Sequence, residues 1–335
     1  MMLKPKKILN NPNHVRQELL DGLVYAYQGE LTPIKEFCSA YRKSIASDQV
    51  IIVSGGGSGH EPTFAGFIGK GGIDACALGE VFTSPSPDQI IEVTKAAHKG
   101  KGVLFLYGNY SGDSMNFDIA AEILAEEGIE TKTVRTTDDI ASAPLDRMSD
   151  RRGVGGIMFV YKLTGAAAQF KHYDLDKLQA VAKKANFNTR TIGVALSGSA
   201  LPQSSTFNFE LADDEIEIGI GIHGEAGLRR QKLTTTDEVV KEMIDKLCAD
   251  LPFNRGDKVC VAINDLGSLS YTELLIVSRK VGMELAERGI TTYDIAIGHF
   301  CTSLEMSGFS ISFLKLDDEL QALYDLPCET FGWRK

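Results

Sequence analysis

A histidine within a glycine-rich stretch is the first feature that could carry chemistry. The stretch reads SGGGSGHEP from Ser54 to Pro62 and directly follows the apolar run VIIV. Glycines allow a backbone to approach a small ligand closely, and histidine can donate or accept a proton near neutral pH. A tight turn with a structural histidine would have the same sequence, so the stretch alone leaves both interpretations open.

The register of these glycines does not match the common nucleotide-binding motifs. A phosphate loop requires Lys followed by Ser or Thr where His60 and Glu61 stand. The dinucleotide pattern GxGxxG fails, because counting from Gly55 or Gly57 places His60 or Pro62 at the third glycine. A GxSxG nucleophile elbow fails as well, since its last position is His60. Nucleotide binding is therefore unsupported.

A carboxylate follows a second apolar run in a similar way. Asp113 lies in YGNYSGDSMNFD, after GVLFLY and close to a predicted helix. It could cap that helix, or it could face a ligand. Ligands gather at the carboxyl ends of parallel strands, where His60 and Asp113 are both expected, so a site that contains both residues is favoured over a cap.

A second histidine, His223, lies in GIGIHGEAG, at the end of the alternating segment EIEIGIGIHG. The flanking glycines leave its imidazole accessible, and a free imidazole nitrogen can attack an activated carbonyl carbon. His60 and His223 belong to different halves of the chain, which predicts a site between two domains. The other histidines lack HExxH or paired His/Cys spacing, so no metal is expected.

The elements around these residues alternate between strands and helices. In the first half, residues 50–53, 102–107 and 156–161 are predicted to be buried strands, and residues 88–98 and 116–127 to be helices. This order indicates a mainly parallel sheet flanked by helices. The second half has more alternating strands and predicted helices at 237–251 and 271–288, which indicates a mixed sheet with helices. The predicted α/β domains span residues 1–187 and 188–335.

Composition and charge narrow the range of partners. The 335-residue chain has a formal charge of −10, which gives no overall field that would attract nucleic acid. No apolar run approaches the roughly 20 residues of a membrane span, so a cytoplasmic location without membrane contact is expected. The six cysteines have no CxxC spacing, which predicts free thiols.

Six sequence blocks, in order, resemble one known family over almost the whole chain: the dihydroxyacetone-binding subunits of bacterial dihydroxyacetone kinases. The blocks are VSGGGSGHEP, GEVFTSPSPDQ, NYSGDSMNFD, RRGVGGIMFVYKLTGAAA, GIGIHGEAG and CTSLEMSGFSISFLKLDDEL. The resemblance implies a homodimer in which the residue matching His223 holds dihydroxyacetone as a hemiaminal. It also implies hydroxyl-binding roles for the matching Gly57, Ser58, Gly59, His60 and Asp113.

The resemblance assigns a proton-transfer role to the residues matching His60 and Asp113 in the kinases. The nucleotide is carried by a separate subunit in this family, so no cofactor is expected in this chain.

Two departures from the family pattern bear on whether the chain phosphorylates dihydroxyacetone, a triose, or only senses it. Family kinases carry a lysine at the substrate site where this chain has Gly108, and their NGxGGT-type loop is replaced by NDLGSLSYTEL from Asn264. A missing cation weakens stabilisation of a transferring phosphoryl group. These changes favour the family's co-activator, which senses dihydroxyacetone and pairs with a transcription factor of the tetracycline-repressor type. The alternative is a kinase subunit that works with a nucleotide-binding subunit.

Overall fold

The computed structural model describes residues 5–335, which form two six-stranded sheets, one two-stranded sheet and eight α-helices. The helices are α1 (Val15–Ala26), α2 (Pro87–Ala97), α3 (Ser111–Glu126), α4 (Ile157–Lys171), α5 (Leu175–Phe187), α6 (Thr236–Asp250), α7 (Tyr271–Arg288) and α8 (Asp318–Tyr324).

The strands are β1 (Leu31–Ile34), β2 (Ser39–Arg42), β3 (Ile51–Ser58), β4 (Gly69–Lys70), β5 (Ala75–Val81), β6 (Val103–Gly108), β7 (Thr131–Thr136), β8 (Thr189–Ala195), β9 (Glu215–Ile218), β10 (Arg229–Lys232), β11 (Lys258–Asp265), β12 (Thr291–Gly298), β13 (Gly308–Leu316) and β14 (Glu329–Thr330).

The first sheet has the order β1-β2-β5-β3-β6-β7 and is mainly parallel. β3 pairs in parallel with β5 and β6, and β6 with β7, whereas β1 and β2 are antiparallel additions. Helices α2 and α3 cover one face, where Ile51, Val53 and Phe105 pack against Ile90 and Phe117. Because β3 and β6 are adjacent parallel strands, the segments that follow them leave the sheet at the same edge, the carboxyl ends of the strands.

The second sheet has the order β10-β9-β8-β13-β11-β12 and is mixed. Its only parallel pair within residues 5–335 is β11 with β12, and β13 lies antiparallel to both β11 and β8. Residues of α6 and α7, such as Val240, Met243 and Val277, pack with Ile192 and Ile263 of the sheet. The predicted fold class, one mainly parallel and one mixed α/β sheet with helices, is confirmed.

The longer surface helices begin and end at recognisable capping residues. Ser86 and Gln89 form a reciprocal capping box at the start of α2, and Thr235 and Glu238 do so at α6. Gly289 ends α7 in a left-handed conformation. Such caps satisfy backbone groups that a helix end leaves free, so the strongly amphipathic helices were predictable to within a few residues.

The prediction of a strand at residues 156–161 is wrong, because this segment begins α4. Every residue from Ile157 to Ala168 is buried. The helix packs against both large sheets, with residues such as Ile52 from the first and Ala262 from the second in the same core. A helix buried on all sides has no polar face, so its sequence resembles a short buried strand.

Two further boundaries differ from the sequence expectation. The segment from Ser54 to Ser58, predicted as a loop, is the end of β3 and is fully extended. β9 stops at Ile218, so His223 lies in a turn rather than at the end of a strand. Gly219, at φ +86°, ends the strand because only glycine adopts that conformation at no steric cost.

The C-terminal residues pack against elements from the first half of the chain. β14 pairs with β4, and Tyr324 and Trp333 pack against Phe159 of α4. The division of the chain at residue 187 stays a prediction. None of the helices in residues 5–335 is long and apolar enough to cross a membrane.

Candidate functional site

His60 is held rigidly just beyond β3. Gly59, at φ +101°, turns the chain, and the imidazole is fully buried. Its Nδ1 lies 2.7 Å from the carbonyl oxygen of Thr302, and its ring stacks on Phe82 at 4.9 Å between centroids. A carbonyl only accepts hydrogen bonds, so Nδ1 must carry the proton. Nε2 therefore presents a lone pair, and it has no hydrogen-bond partner within residues 5–335.

Burial keeps the imidazole of His60 uncharged. Desolvation, with the nearby His223 as the second cause, lowers the pKa of His60 to about 3. His60 is therefore neutral at physiological pH and acts as a hydrogen-bond acceptor through Nε2.

His223 is oriented by a carboxylate two residues further along the chain. Its Nδ1 lies 2.9 Å from Oε1 of Glu225, and its backbone N–H donates to Oε2 at 2.9 Å. Burial acts to raise the pKa of Glu225, but the hydrogen bond from His223 and the charges of His223 and Arg152 lower it to about 2. Because Glu225 is ionised, Nδ1 donates to it, and in the uncharged form of an imidazole this arrangement leaves the lone pair on Nε2.

The two histidines meet across the gap between the sheets. Their ring centroids are 4.7 Å apart, with an angle of 76° between the planes. Phe82 and Tyr110 also face the His223 ring edge-on, at 5.2 and 4.9 Å. The structure thus brings together His60 and His223 from the two halves of the chain, and their forming one binding site stays a prediction.

Asp113 lies in the first turn of α3, but it does not cap the helix. Tyr110 is the N-cap residue, and no side chain makes a capping hydrogen bond there. Desolvation raises the pKa of Asp113 to about 6, opposed by a hydrogen bond from Ser84 and by the charge of His223. Its Oδ1 is buried without a hydrogen-bond partner among the described residues 5–335. This oxygen is therefore free to accept a hydrogen bond from a bound molecule.

The glycines exclude side chains from this region. A Cβ at Gly57 would lie 2.6 Å from the nitrogen of Thr83 and 2.8 Å from Cα of Phe82. Gly108 ends β6, and a Cβ there would lie 3.3 Å from the ring of Tyr110. Ser58 is buried, and its hydroxyl donates to the carbonyl of Gly79 at 2.8 Å. Substrate contacts by Gly57, Ser58, Gly59 and Gly108 stay predictions.

Sequence reasoning missed several residues that shape the site: Phe82, Tyr110, Glu225 and Thr302. The His-x-Glu spacing of His223 and Glu225 was a usable signal, because a carboxylate two residues away in a turn can reach Nδ1. The contact between His60 and Thr302 joins residues 242 positions apart, so no local pattern could reveal it.

Comparison with known proteins identifies the class of protein to which this fold and site belong. The Dak1 domain matches residues 21–332, and the chain belongs to this family. It is 42% identical over 331 residues to the dihydroxyacetone-binding subunit DhaK of the PTS-dependent dihydroxyacetone kinase 2 of Listeria innocua, covering 97% of this chain and 98% of that protein.

Two solved structures resemble the chain over nearly its whole length. The dihydroxyacetone kinase of C. freundii in its native form superposes with a TM-score of 0.91 and 33% identity, over 98% of this chain and 60% of the other. The dihydroxyacetone kinase operon co-activator Dha-DhaQ superposes with a TM-score of 0.89 and 30% identity, over 95% and 98%. Family membership is thus confirmed, and both candidate roles occur among similar proteins.

Proposed function

We propose that the chain binds dihydroxyacetone as a hemiaminal on His223. The observation that carries this proposal is the hydrogen bond from Nδ1 of His223 to ionised Glu225, which leaves Nε2 as a nucleophile. Nε2 forms a bond to the ketone carbon, and the C=O electron pair moves to the oxygen, which takes up a proton from water. The ring gives up its Nδ1 proton through Glu225 to water, so the imidazole of the adduct is neutral, one proton has moved from Nδ1 to the oxygen, and no group leaves.

Two acceptors fit the two hydroxyl groups of the triose. Nε2 of His60 and Oδ1 of Asp113 are both buried, and neither has a hydrogen-bond partner in the part of the chain that the structure describes. Each can accept a hydrogen bond from one hydroxyl group of the triose. This hydrogen bond offsets the free energy that a buried acceptor loses when it has no partner. Glycerol has similar hydroxyls but no carbonyl, so only the ketone can form the covalent bond to His223.

Isothermal titration with dihydroxyacetone and glycerol tests this proposal. Dihydroxyacetone should bind the wild type, and His223→Ala should reduce its affinity to the level of glycerol. His172→Ala is a matched control, because the side chain of His172 is 53% exposed and lies outside the site. Equal dihydroxyacetone affinity in wild type and His223→Ala would refute the covalent role.

For the role of the bound triose, we propose a dihydroxyacetone-binding subunit of a PTS-dependent dihydroxyacetone kinase. The 42% identity to such a subunit over nearly the full length supports this assignment above the co-activator that the sequence favoured. The free acceptors on His60 and Asp113 can also take the proton of a hydroxyl that attacks a phosphoryl group. Mixing with a nucleotide-carrying kinase subunit should give phosphorylated triose; absence of turnover with intact triose binding would refute this role.

The co-activator is the second candidate, and Gly108 favours it. This residue contributes no cation at a position where the family resemblance expects lysine, and such a cation stabilises phosphoryl transfer. On this alternative, triose binding and binding of a transcription factor are reciprocally coupled. Pull-down of such a factor with and without dihydroxyacetone tests it, and equal capture in both samples would contradict it.

A further inference from the structure

A cavity lies beside the end of β3, where Gly56, Gly57 and Ser58 form part of its wall. It has a volume of about 260 Å³ and opens between α1 and the end of β3. Leu19 and Leu23 of α1, Leu78 of β5, and the rings of Phe64 and Phe331 form its apolar walls. The volume is slightly below the roughly 300–1,000 Å³ of drug-sized sites, so a small molecule fits.

β3 separates this cavity from the triose site. Successive residues of a strand point to opposite faces. A Cβ at Gly57 would point to Phe82 and Thr83 of the triose site, whereas a Cβ at Gly56 would point to the ring of Phe64 in the cavity. None of His60, Asp113 and His223 lines the cavity. Gly57 and Ser58 do line it, so the cavity adjoins the triose site along the end of β3 without containing its three ionisable groups.

One ionisable acid, Glu61, lines this apolar space. Its two carboxyl oxygens share one donor, the backbone N–H of Gly59, at 2.9 and 3.1 Å. The backbone N–H of Glu61 itself also acts on the carboxyl, and no side chain within residues 5–335 donates to it. Desolvation raises the pKa of Glu61 to about 7, opposed by backbone hydrogen bonds. A carboxylate can accept about four hydrogen bonds, so most of its acceptor capacity is unused.

We propose that this cavity is a binding site for a small amphipathic amine, whose ammonium group pairs with Glu61 and whose apolar body lies between α1 and Phe64. A cation beside a desolvated carboxylate supplies both the missing donors and the opposite charge. The surrounding aliphatic and aromatic side chains match an alkyl chain or a small ring. An anionic ligand would instead face a second negative charge without a compensating cation among the lining residues.

Hexylamine, 1-hexanol and hexanoate are suitable probes, because they share a chain length and differ in the head group. Isothermal titration in the absence of triose should show saturable 1:1 binding of hexylamine, about tenfold or more tighter than that of 1-hexanol, as expected for a charge-assisted hydrogen bond. Hexanoate should not bind. Glu61→Gln should bring hexylamine and 1-hexanol to equal affinity.

Gly22→Phe tests the location of the site. Gly22 is an exposed residue of α1 at the cavity, and a Cβ there meets no atom within 4 Å, so the ring can occupy the mouth. Gly282→Phe is the matched control, since Gly282 is an exposed glycine of α7 with equally open surroundings, away from the cavity. Gly22→Phe should abolish hexylamine binding, and Gly282→Phe should leave it unchanged.

Three results would overturn the proposal. They are equal affinities of hexylamine and 1-hexanol for the wild type, tighter binding of hexanoate than of hexylamine, and unchanged hexylamine binding in Gly22→Phe. Loss of self-association in Gly22→Phe, without amine binding to the wild type, would instead assign the cavity to contact between two copies of the chain. Direct titration of the amine keeps each result independent of whether the triose binds.

Discussion

At the scale of single residues, the candidate site contains two acceptors, Nε2 of His60 and Oδ1 of Asp113, that have no hydrogen-bond partner within residues 5–335. His60 is neutral, because burial and the neighbouring His223 lower its pKa to about 3. Asp113 is ionised at neutral pH, although burial raises its pKa to about 6. With these two polar groups, the ligand-free protein has a lower free energy of unfolding than it would have with apolar residues at the same positions. Binding sites for polar ligands commonly reduce stability in this way.

Glu225→Gln should weaken the covalent adduct about tenfold or more, because the amide cannot stabilise the positive charge that develops on the imidazole as Nε2 attacks. The amide can also donate to Nδ1 and so favour the wrong tautomer. The measurement is the dissociation constant of dihydroxyacetone for Glu225→Gln, with Glu319→Gln, an exposed partner of Lys184, as the control. Unchanged affinity in Glu225→Gln would show that Glu225 does not orient the nucleophile.

Asp113→Asn should stabilise the empty protein near pH 7.5 by about 1–3 kcal/mol, from a shift of roughly two pKa units. The pKa of Asp113 is raised from 3.8 to about 6. Its charged form therefore opposes folding above pH 6, and this penalty disappears as the pH falls below 3.8.

Urea unfolding at pH 7.5 and pH 4.0 measures this effect, with the exposed Asp146→Asn as control. The gain for Asp113→Asn should shrink at the lower pH, while triose binding is weakened at pH 7.5. A stability gain that does not depend on pH would contradict the assigned ionisation of Asp113.

At the scale of secondary-structure elements, β3 brings its glycines into close contact with the segment that follows β5. Gly57→Ala should destabilise the protein by about 1–3 kcal/mol, because overpacking against a backbone cannot be relieved by a rotamer change. The new Cβ would lie 2.6 Å from the nitrogen of Thr83. Triose binding should fall as well, since Phe82 would be displaced from His60.

Gly282→Ala is the opposite case, because a Cβ at this helical position meets no atom within 4 Å. It should stabilise the protein by about 0.5–1 kcal/mol through helix propensity. Urea unfolding of both variants tests the contrast. Equal effects of the two substitutions would show that contact with Thr83 does not explain the glycine at position 57.

The sequence predicted two kinds of element: helices with a distinct polar face and short, fully buried strands. α6 and α7 follow an amphipathic pattern with clear caps, and β3 and β6 are short apolar runs bounded by glycine. α4 could not be recognised as a helix, because it is buried against two sheets and lacks periodicity. The candidate residues His60, Asp113 and His223 were predicted from their types and their glycine neighbours, whereas the contact of His60 with Thr302 is a tertiary one that no local pattern reveals.

At the scale of the whole molecule, the C-terminal segment is attached to the first half through a buried lysine. Lys162 of α4 is 1% exposed, and its Nζ donates to the carbonyls of Leu323 and Leu326 at 3.2 and 2.6 Å. Desolvation lowers the pKa of Lys162 to about 8. These carbonyls belong to the C-terminal turn of α8 and the residues just after it, where backbone acceptors need partners.

Lys162→Met should loosen the C-terminal segment and reduce stability by about 1–3 kcal/mol, the cost of buried carbonyls without partners. Trp333 is the only tryptophan in the sequence and packs against Tyr324, so its fluorescence reports this segment directly. A red shift of its emission is expected, with triose affinity changed little. An unchanged emission spectrum and stability would contradict the capping role.

The central claim is a covalent bond between Nε2 of His223 and the ketone carbon of dihydroxyacetone. The most direct test is NMR of [2-13C]dihydroxyacetone bound to protein labelled with [15N]histidine. The bound carbon should move from the carbonyl to the tetrahedral region and show a one-bond 13C–15N coupling, in wild type and His172→Ala but not in His223→Ala. A bound carbon that remains a ketone, or a coupling that persists in His223→Ala, would contradict the account.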